Sequence, residues 1–298
     1  MARRAISLGT FTWFAIALGY VCSYQLLGVG GYEWALFRNA AFNGGLAARV
    51  ANPPYIFALF YPLFLLPLRV GIFIYSLIGI GAVFATHRLT GLNKWLLLLS
   101  FPIVQNLFSA QLDTLSMLGV ALGWWAIQQK RPYHLGLALV LLGIKPHVTG
   151  ILIIAYLVWG WHPAALLAPT LALLYSFAFY GFWIPGWLES AVGQSSGSAA
   201  FFNGGLGAFP YGLLLWLPIL LGRQLYSRLQ LANAVTAATM LSMPYVGSYS
   251  VQAFLGLPLS WVSYLFMLPV YMVLDVRPLL ILIVLYPLAH FFVDRSTT

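Results

Sequence analysis

Acidic side chains are almost absent from this chain. Asp and Glu number 5 among 298 residues, Lys and Arg add 14, and charged residues reach only 6%. Soluble domains carry about 25%, so a water-exposed surface of ordinary size is excluded. Cysteine is nearly absent too. Cys22 is the one thiol, which rules out intrachain disulfides and thiolate metal clusters, and it is expected to lie unreactive in the first apolar run. The five histidines, His87, His134, His147, His162 and His290, have no metal-ligand spacing, so the motifs call for no metal and no cofactor. There is no phosphate-binding loop, dinucleotide fingerprint, nucleophile elbow or selectivity-filter sequence. No basic run interleaves with aromatics, which argues against a nucleic-acid partner.

What fills the chain instead is apolar: 62% of residues are hydrophobic and the mean hydropathy is +0.91. A membrane crossing takes roughly 20 such residues. Apolar runs follow one another at 8–27, 55–66, 70–86, 95–108, 112–127, 135–144 and 148–159. Further runs lie at 164–182, 211–221, 231–243, 257–274 and 279–293. They lack barrel alternation and predict an all-α, polytopic membrane protein with about nine to eleven spanning or partly spanning helices. Residues 1–298 read as one integral membrane domain with external loops near 28–54 and 183–209. Several runs are short or abut proline, as broken helices do.

The net charge is +9, in small basic groups: Arg3-Arg4, Arg88 with Lys94, Lys130-Arg131, and Arg223 with Arg228. The positive-inside rule explains these groups. It places Arg3-Arg4 in the cytoplasm, the first helix as a retained span, and the loop after it outside. Arg88 and Lys94 then also want the cytoplasm, which requires an even number of crossings before them. Either 55–86 crosses once, as a kinked or re-entrant element, or the link at 88–94 breaks the rule. Within the first loop, 32–48 fits a short helix on the membrane surface, and Asn52-Pro53-Pro54 must open a new element. Phe42-Asn43-Gly44-Gly45 is echoed by Phe202-Asn203-Gly204-Gly205, which reads as turn chemistry rather than a repeat.

The scarce ionisable residues are the candidates for chemistry, because charge within a bilayer is costly. Glu33 is the first loop's only acid and suits a general base if apolar surroundings raise its pKa; a solvated pair with Arg38 is the plainer alternative. Asp113 offers a second site carboxylate, or caps a helix beginning at Thr114, and Gln111 stands beside it. Lys145 has no acid nearby in sequence and suits an anion such as phosphate, or else snorkels to the headgroups. His147 would donate to the same anion. Arg38 and Arg49 suit a phosphate or lipid headgroups. Asp275 with Arg277, and Asp294 with Arg295, look like ordinary surface and tail residues.

Taken in order, these elements resemble the polyprenyl-phosphate-dependent glycosyltransferases of the GT-C class, nearest the bacterial alpha-1,2-mannosyltransferase-like family (glycosyltransferase family 87). Glu33-Trp34 with Phe37 stands at that family's early loop acid. Pro53-Pro54 matches its proline pair, Ala110-Gln111 followed by Leu112-Asp113 its Gly-Gln element, and Ile144-Lys145-Pro146 its Lys-Pro. Ser242-Met243-Pro244 with Tyr249 matches its Ser-x-Pro and exposed tyrosine. Three features depart from the family: Glu33 replaces the usual aspartate, Ala110 replaces glycine, and the chain is shorter than typical members. The resemblance implies metal-free, inverting transfer of a sugar from a polyprenyl-phosphate donor to a glycan or glycolipid hydroxyl, outside the bacterial cytoplasmic membrane. Glu33 would be the base, and Lys145 and His147, with Arg38 or Arg49, would stabilise the departing phosphate. Asp113, Gln111 and Tyr249 would line the substrate site. Two other classes fit the composition: a noncatalytic structural subunit of a membrane complex, and a lipid or small-molecule transporter, which would show weak symmetry between halves.

Overall fold

The computed structural model describes residues 8–45, 52–190, 211–225, 227–242 and 250–258, and these form helices joined by short turns, with no strand among them. The order is α1 (Leu8–Leu27), α2 (Tyr32–Phe42), α3 (Pro54–Phe64), α4 (Leu68–Thr90), α5 (Lys94–Leu99), α6 (Phe101–Ser109), α7 (Asp113–Gln128), α8 (Pro132–Leu142), α9 (Pro146–Trp159) and α10 (Leu167–Tyr180). A helix Arg228–Ser242 and a 3₁₀ segment Ser250–Gly256 follow. Arg3-Arg4, Arg49, Tyr249 and most of the loop expected at 183–209 lie outside the described residues, as do the apolar runs beyond 258.

Proline sets many of the boundaries. Pro54, Pro102, Pro132 and Pro146 each stand in the first turn of a helix, where the missing N–H costs nothing. The run at 95–108 is broken at Ser100, whose extended backbone separates α5 from α6.

Two helices are long and apolar enough to cross a membrane, α4 and the continuous stretch Pro163–Tyr180 that contains α10. By contrast α3 has 11 residues, only about 16 Å at 1.5 Å per residue. Contacts at one end of the bundle join the start of α1 to the link after α4. Lys94 Nζ donates to Thr10 Oγ1 at 2.9 Å, and Trp13 Nε1 donates to the Lys94 carbonyl at 2.9 Å. The start of α1 and the link after α4 therefore share an end: α1 leaves it, α4 returns to it, and α3 is a half-length element between them.

The helix α7 occupies the centre, with 12 of its residues buried, Asp113 to Ala126. Gly119 and Gly123 let neighbours close on it: a Cβ at Gly119 would meet Leu141 and Leu142 of α8, and one at Gly123 would meet the ring of Tyr156 on α9. Tyr156 then donates its hydroxyl to the Val120 carbonyl at 2.8 Å. On the far side, a Cβ at Gly256 would strike the Met117 carbonyl, so the Ser250–Gly256 segment lies against the α7 backbone.

This packing gives the molecule two chemically different ends. The starts of α7 and α9, with their approaches from α6 and α8, carry Gln111, Asp113 and Lys145 at one end. There Tyr180 at the close of α10 donates to the Ala41 carbonyl (3.1 Å), and Asn52 donates to the Ile144 carbonyl (2.9 Å). Both α7 and α9 run from that end to the other. The far end bears Lys130-Arg131 just past α7, Lys94 on Thr10, and Arg223, whose Nη1 donates to the Trp159 carbonyl at 3.2 Å.

Candidate functional site

The site begins with two glycines. Gly30 and Gly31 have φ of 86° and 72°, a left-handed backbone that strains other residues. A Cβ at Gly30 would strike the Phe108 carbonyl, and one at Gly31 the Ile72 side chain. The Gly31 amide donates to that same Phe108 carbonyl at 2.8 Å, docking the start of α2 on the end of α6. Trp34, fully buried, stacks on Tyr75 of α4 with ring centroids 4.6 Å apart and lies 4.5 Å from Phe64. Tyr75 in turn donates its hydroxyl to the Gln111 carbonyl at 2.8 Å. One chain of contacts thus fixes α2 against the turn that opens α7.

That clamp brings Glu33 to Gln111, Asp113 and Lys145. The Gln111 side chain and the charges of Lys145 and Asp113 all lie close enough to act on the Glu33 carboxylate. Burial raises the Glu33 pKa above the ordinary carboxylate value, the positive Lys145 pulls it down, Asp113 pushes it up and the Gln111 side chain pulls it down; the net direction is up. Glu33 is only half-buried, so its carboxylate lies at the boundary between this interior cluster and the outside.

Behind it, Lys145 Nζ meets Asp113 Oδ2 at 2.6 Å. The two residues are 4% and 1% exposed, so this is a buried, charge-assisted pair. Local structure explains why both are there. Asp113 is the first residue of α7 and Lys145 the residue just before α9, and the proline after Lys145 keeps its backbone out of the helical region. An acid at a helix start is favoured by the exposed amides and a cation is not, so Asp113 also compensates the placement of Lys145.

Several sequence expectations are settled here. The helix begins at Asp113 itself, one residue before the expected start at Thr114, so Asp113 stands in its first turn and Leu112 at its cap. Lys145 neither snorkels nor lacks an acid; its partner comes from 32 residues away. Glu33 forms no ion pair with Arg38. The Arg38 guanidinium lies over the Phe42 ring, 5.5 Å from its centroid. His147 sits in the first turn of α9, near enough to feel the Lys145 charge. Arg49 and Tyr249 fall outside the described residues. No group of three or more metal-ligating side chains occurs among the described residues.

Gly30, Gly31 and Tyr75 position the cluster without having been singled out in the sequence, and Trp34 was noted only for its place beside Glu33. The Gly28-Val29-Gly30-Gly31 string between two helical runs was the available signal for the glycines. Tyr75 gave none, in a chain that is 16% aromatic. No protein-family model, curated protein or solved structure matches this chain.

Proposed function

We propose that the chain is a multi-pass membrane glycosyltransferase, taking a sugar from a polyprenyl-phosphate donor and passing it to a hydroxyl acceptor at the outer face of the bacterial cytoplasmic membrane. The observation that carries this reading is the meeting of Glu33, Gln111, Asp113 and Lys145 at the end of the bundle opposite Lys94, Lys130 and Arg131. Under the positive-inside rule the basic end faces the cytoplasm, which puts the cluster outside. The lipid-facing part of the reading is supported by the stretch Pro163–Tyr180, whose most apolar window is only 17% buried. Leu167, Leu171 and Leu174 stand exposed along it at helical spacing, a face that suits acyl chains.

In this mechanism Glu33 removes the proton from the acceptor hydroxyl as its oxygen attacks the anomeric carbon, and the bond from that carbon to the donor phosphate oxygen breaks. The electron pair leaves with the phosphate, which is a good leaving group, so the protein's main tasks are proton removal and charge stabilisation. Half-burial with a raised pKa fits a carboxyl base. Lys145, whose charge acts on Glu33, would stabilise the departing phosphate, and its pairing with Asp113 holds it in place. The test is transfer of radiolabelled sugar from polyprenyl-phosphate mannose to a glycolipid acceptor by membranes containing the protein. Transfer should be lost with Glu33→Gln; a variant as fast as wild type would remove Glu33 from the role.

A second reading has its own observation. A buried ion pair between the starts of two central helices is also what a structural subunit would use to fix helix register. In that case the protein would serve within a membrane complex and transfer nothing.

A further inference from the structure

The end of the bundle away from Glu33 carries cations that the proposed chemistry does not use. Lys130 and Arg131 stand exposed in the turn between α7 and α8. Two bonds pin that turn to the last turn of α7: the Lys130 amide donates to the Ile127 carbonyl (3.3 Å) and the Arg131 amide to the Ala126 carbonyl (2.8 Å). Lys130 has φ 51°, a left-handed conformation that glycine takes freely at helix ends and lysine does not. The turn after α9 lies against this one, since a Cβ at Gly160 would strike Ile127 and Leu135. It presents Trp161, 65% exposed, and the exposed His162. His162 Nδ1 accepts from the Ala164 amide at 3.2 Å, so the proton of the neutral ring stands on Nε2 as a donor. Arg223 completes the group, its Nη1 on the Trp159 carbonyl and its guanidinium over the Trp159 ring, 5.6 Å from the centroid. No acid among the described residues shares this end: Glu33 and Asp113 lie at the other, and Glu189 follows the close of α10 there.

The helix dipole and the positive-inside rule account for the sign of these charges. They do not account for the gathering of cations and exposed rings around one pair of turns. Such a group at a membrane edge suits an anion that comes with an apolar body. The neighbouring helices supply a surface for that body. Both α9 and the short helix Trp216–Leu221 lead to the contact of Arg223 with Trp159. Each keeps apolar side chains exposed on the way, Ile154 and Val158 on the one, Leu217 and Leu221 on the other. A soluble phosphate would leave those side chains uncovered. We propose that Lys130, Arg131 and Arg223 hold the phosphate of an anionic phospholipid whose acyl chains lie along α9 and Trp216–Leu221. The site depends on the bundle lying in a membrane and not on glycosyl transfer.

The test reads lipid binding on the full-length protein in a neutral detergent. Phosphatidylglycerol and phosphatidylcholine with the same oleoyl chains are titrated in turn, and bound lipid is counted by native mass spectrometry. Each cation near the phosphate is worth about fivefold in affinity, so three should favour phosphatidylglycerol by roughly 100-fold. Lys130→Gln with Arg131→Gln should remove about 25-fold of that preference, and adding Arg223→Gln should remove the rest. The exposed pair alone serves if the Arg223 variant does not fold. Arg88→Gln, which removes a cation at the same end but on α4, should leave the affinity nearly unchanged. Glycerol 3-phosphate, a phosphate without chains, should not displace the lipid at equal concentration. Equal binding of the two lipids, or a loss in Arg88→Gln as large as in Lys130→Gln, would reduce the group to general charge attraction and overturn the site. Displacement by glycerol 3-phosphate would make it a soluble-phosphate site and overturn the lipid assignment. No sugar enters the measurement, so the absence of sugar transfer would leave a positive result standing, and a negative result would leave the role of Glu33 untouched.

Discussion

Glu33 is the residue on which stability and activity pull apart. Its folded pKa is raised, chiefly by burial, so the folded state holds its proton to higher pH than the unfolded chain does. Between the ordinary carboxylate pKa and the raised value the native state binds more protons, and stability falls as pH rises through that window. Above the window Glu33 is ionised, costs stability, and is ready to act as a base. Transfer should therefore rise with pH through a limb lying above the usual carboxylate range. Glu33→Gln should abolish about 10²–10⁴-fold of the turnover if the base role holds. The same substitution should raise the melting temperature at pH 8 and lose that advantage below the ordinary carboxylate pKa. A melting difference that does not change with pH would show that the carboxyl is not desolvated as described.

The Asp113–Lys145 pair makes a different prediction, because truncating one partner strands the other. Lys145→Met should cost about 3–5 kcal/mol of stability by leaving a buried carboxylate without its counter-charge. The double variant Asp113→Asn with Lys145→Met removes both charges and should recover most of that loss. Transfer separates the two readings of the pair. If Lys145 stabilises the departing phosphate, transfer stays lost in the refolded double variant; if the pair only fixes register, transfer returns with stability. Thermal unfolding and transfer measured on the same three proteins decide between these outcomes.

Among the elements, α2 depends most on a few exact fits. Gly30 lies against the Phe108 carbonyl, which is backbone and cannot swing aside as a side chain would. Its φ of 86° adds strain for any other residue. Gly30→Ala should therefore cost roughly 2 kcal/mol or more and lift α2 from α6, carrying Glu33 away from Gln111. Proteolysis between α1 and α3 should quicken in that variant; unchanged protection would mean the contact is not what holds α2. At this scale the sequence was readable wherever a residue type has a mechanical consequence. Pro53-Pro54 marked a helix start, the mixed polarity after residue 31 marked α2, and the rarity of acids drew attention to Glu33 and Asp113. The pairing of Asp113 with Lys145 was not readable, because it depends on α8 folding back along α7 to return the chain to the same end. The clamp of Trp34 on Tyr75 was hidden for another reason: one more aromatic in an apolar run has no distinguishing pattern until its partner is known.

For the whole molecule, the unequal share of basic residues between the two ends is what the proposed orientation rests on. Lys94, Lys130, Arg131 and Arg223 gather at the end where α1 begins, while Glu33, Asp113 and Lys145, together with Arg38 and Arg69, sit at the other. In a cell membrane with Lys and Arg retained inside, that arrangement sends α2 outward. Two exposed positions test it from opposite sides. Asn43 is the residue just after α2, and Lys130 the second residue past α7. With Cys22→Ser as background to remove the native thiol, Asn43→Cys should react with a membrane-impermeant maleimide in intact cells. Lys130→Cys should react only after the membrane is permeabilised. The reverse pattern would turn the molecule over and place the carboxylate cluster in the cytoplasm, where the proposed outer-face acceptor could not reach it. Equal labelling of both positions in intact cells would instead mean that the bundle does not separate two compartments, and the membrane-spanning reading would fall with it.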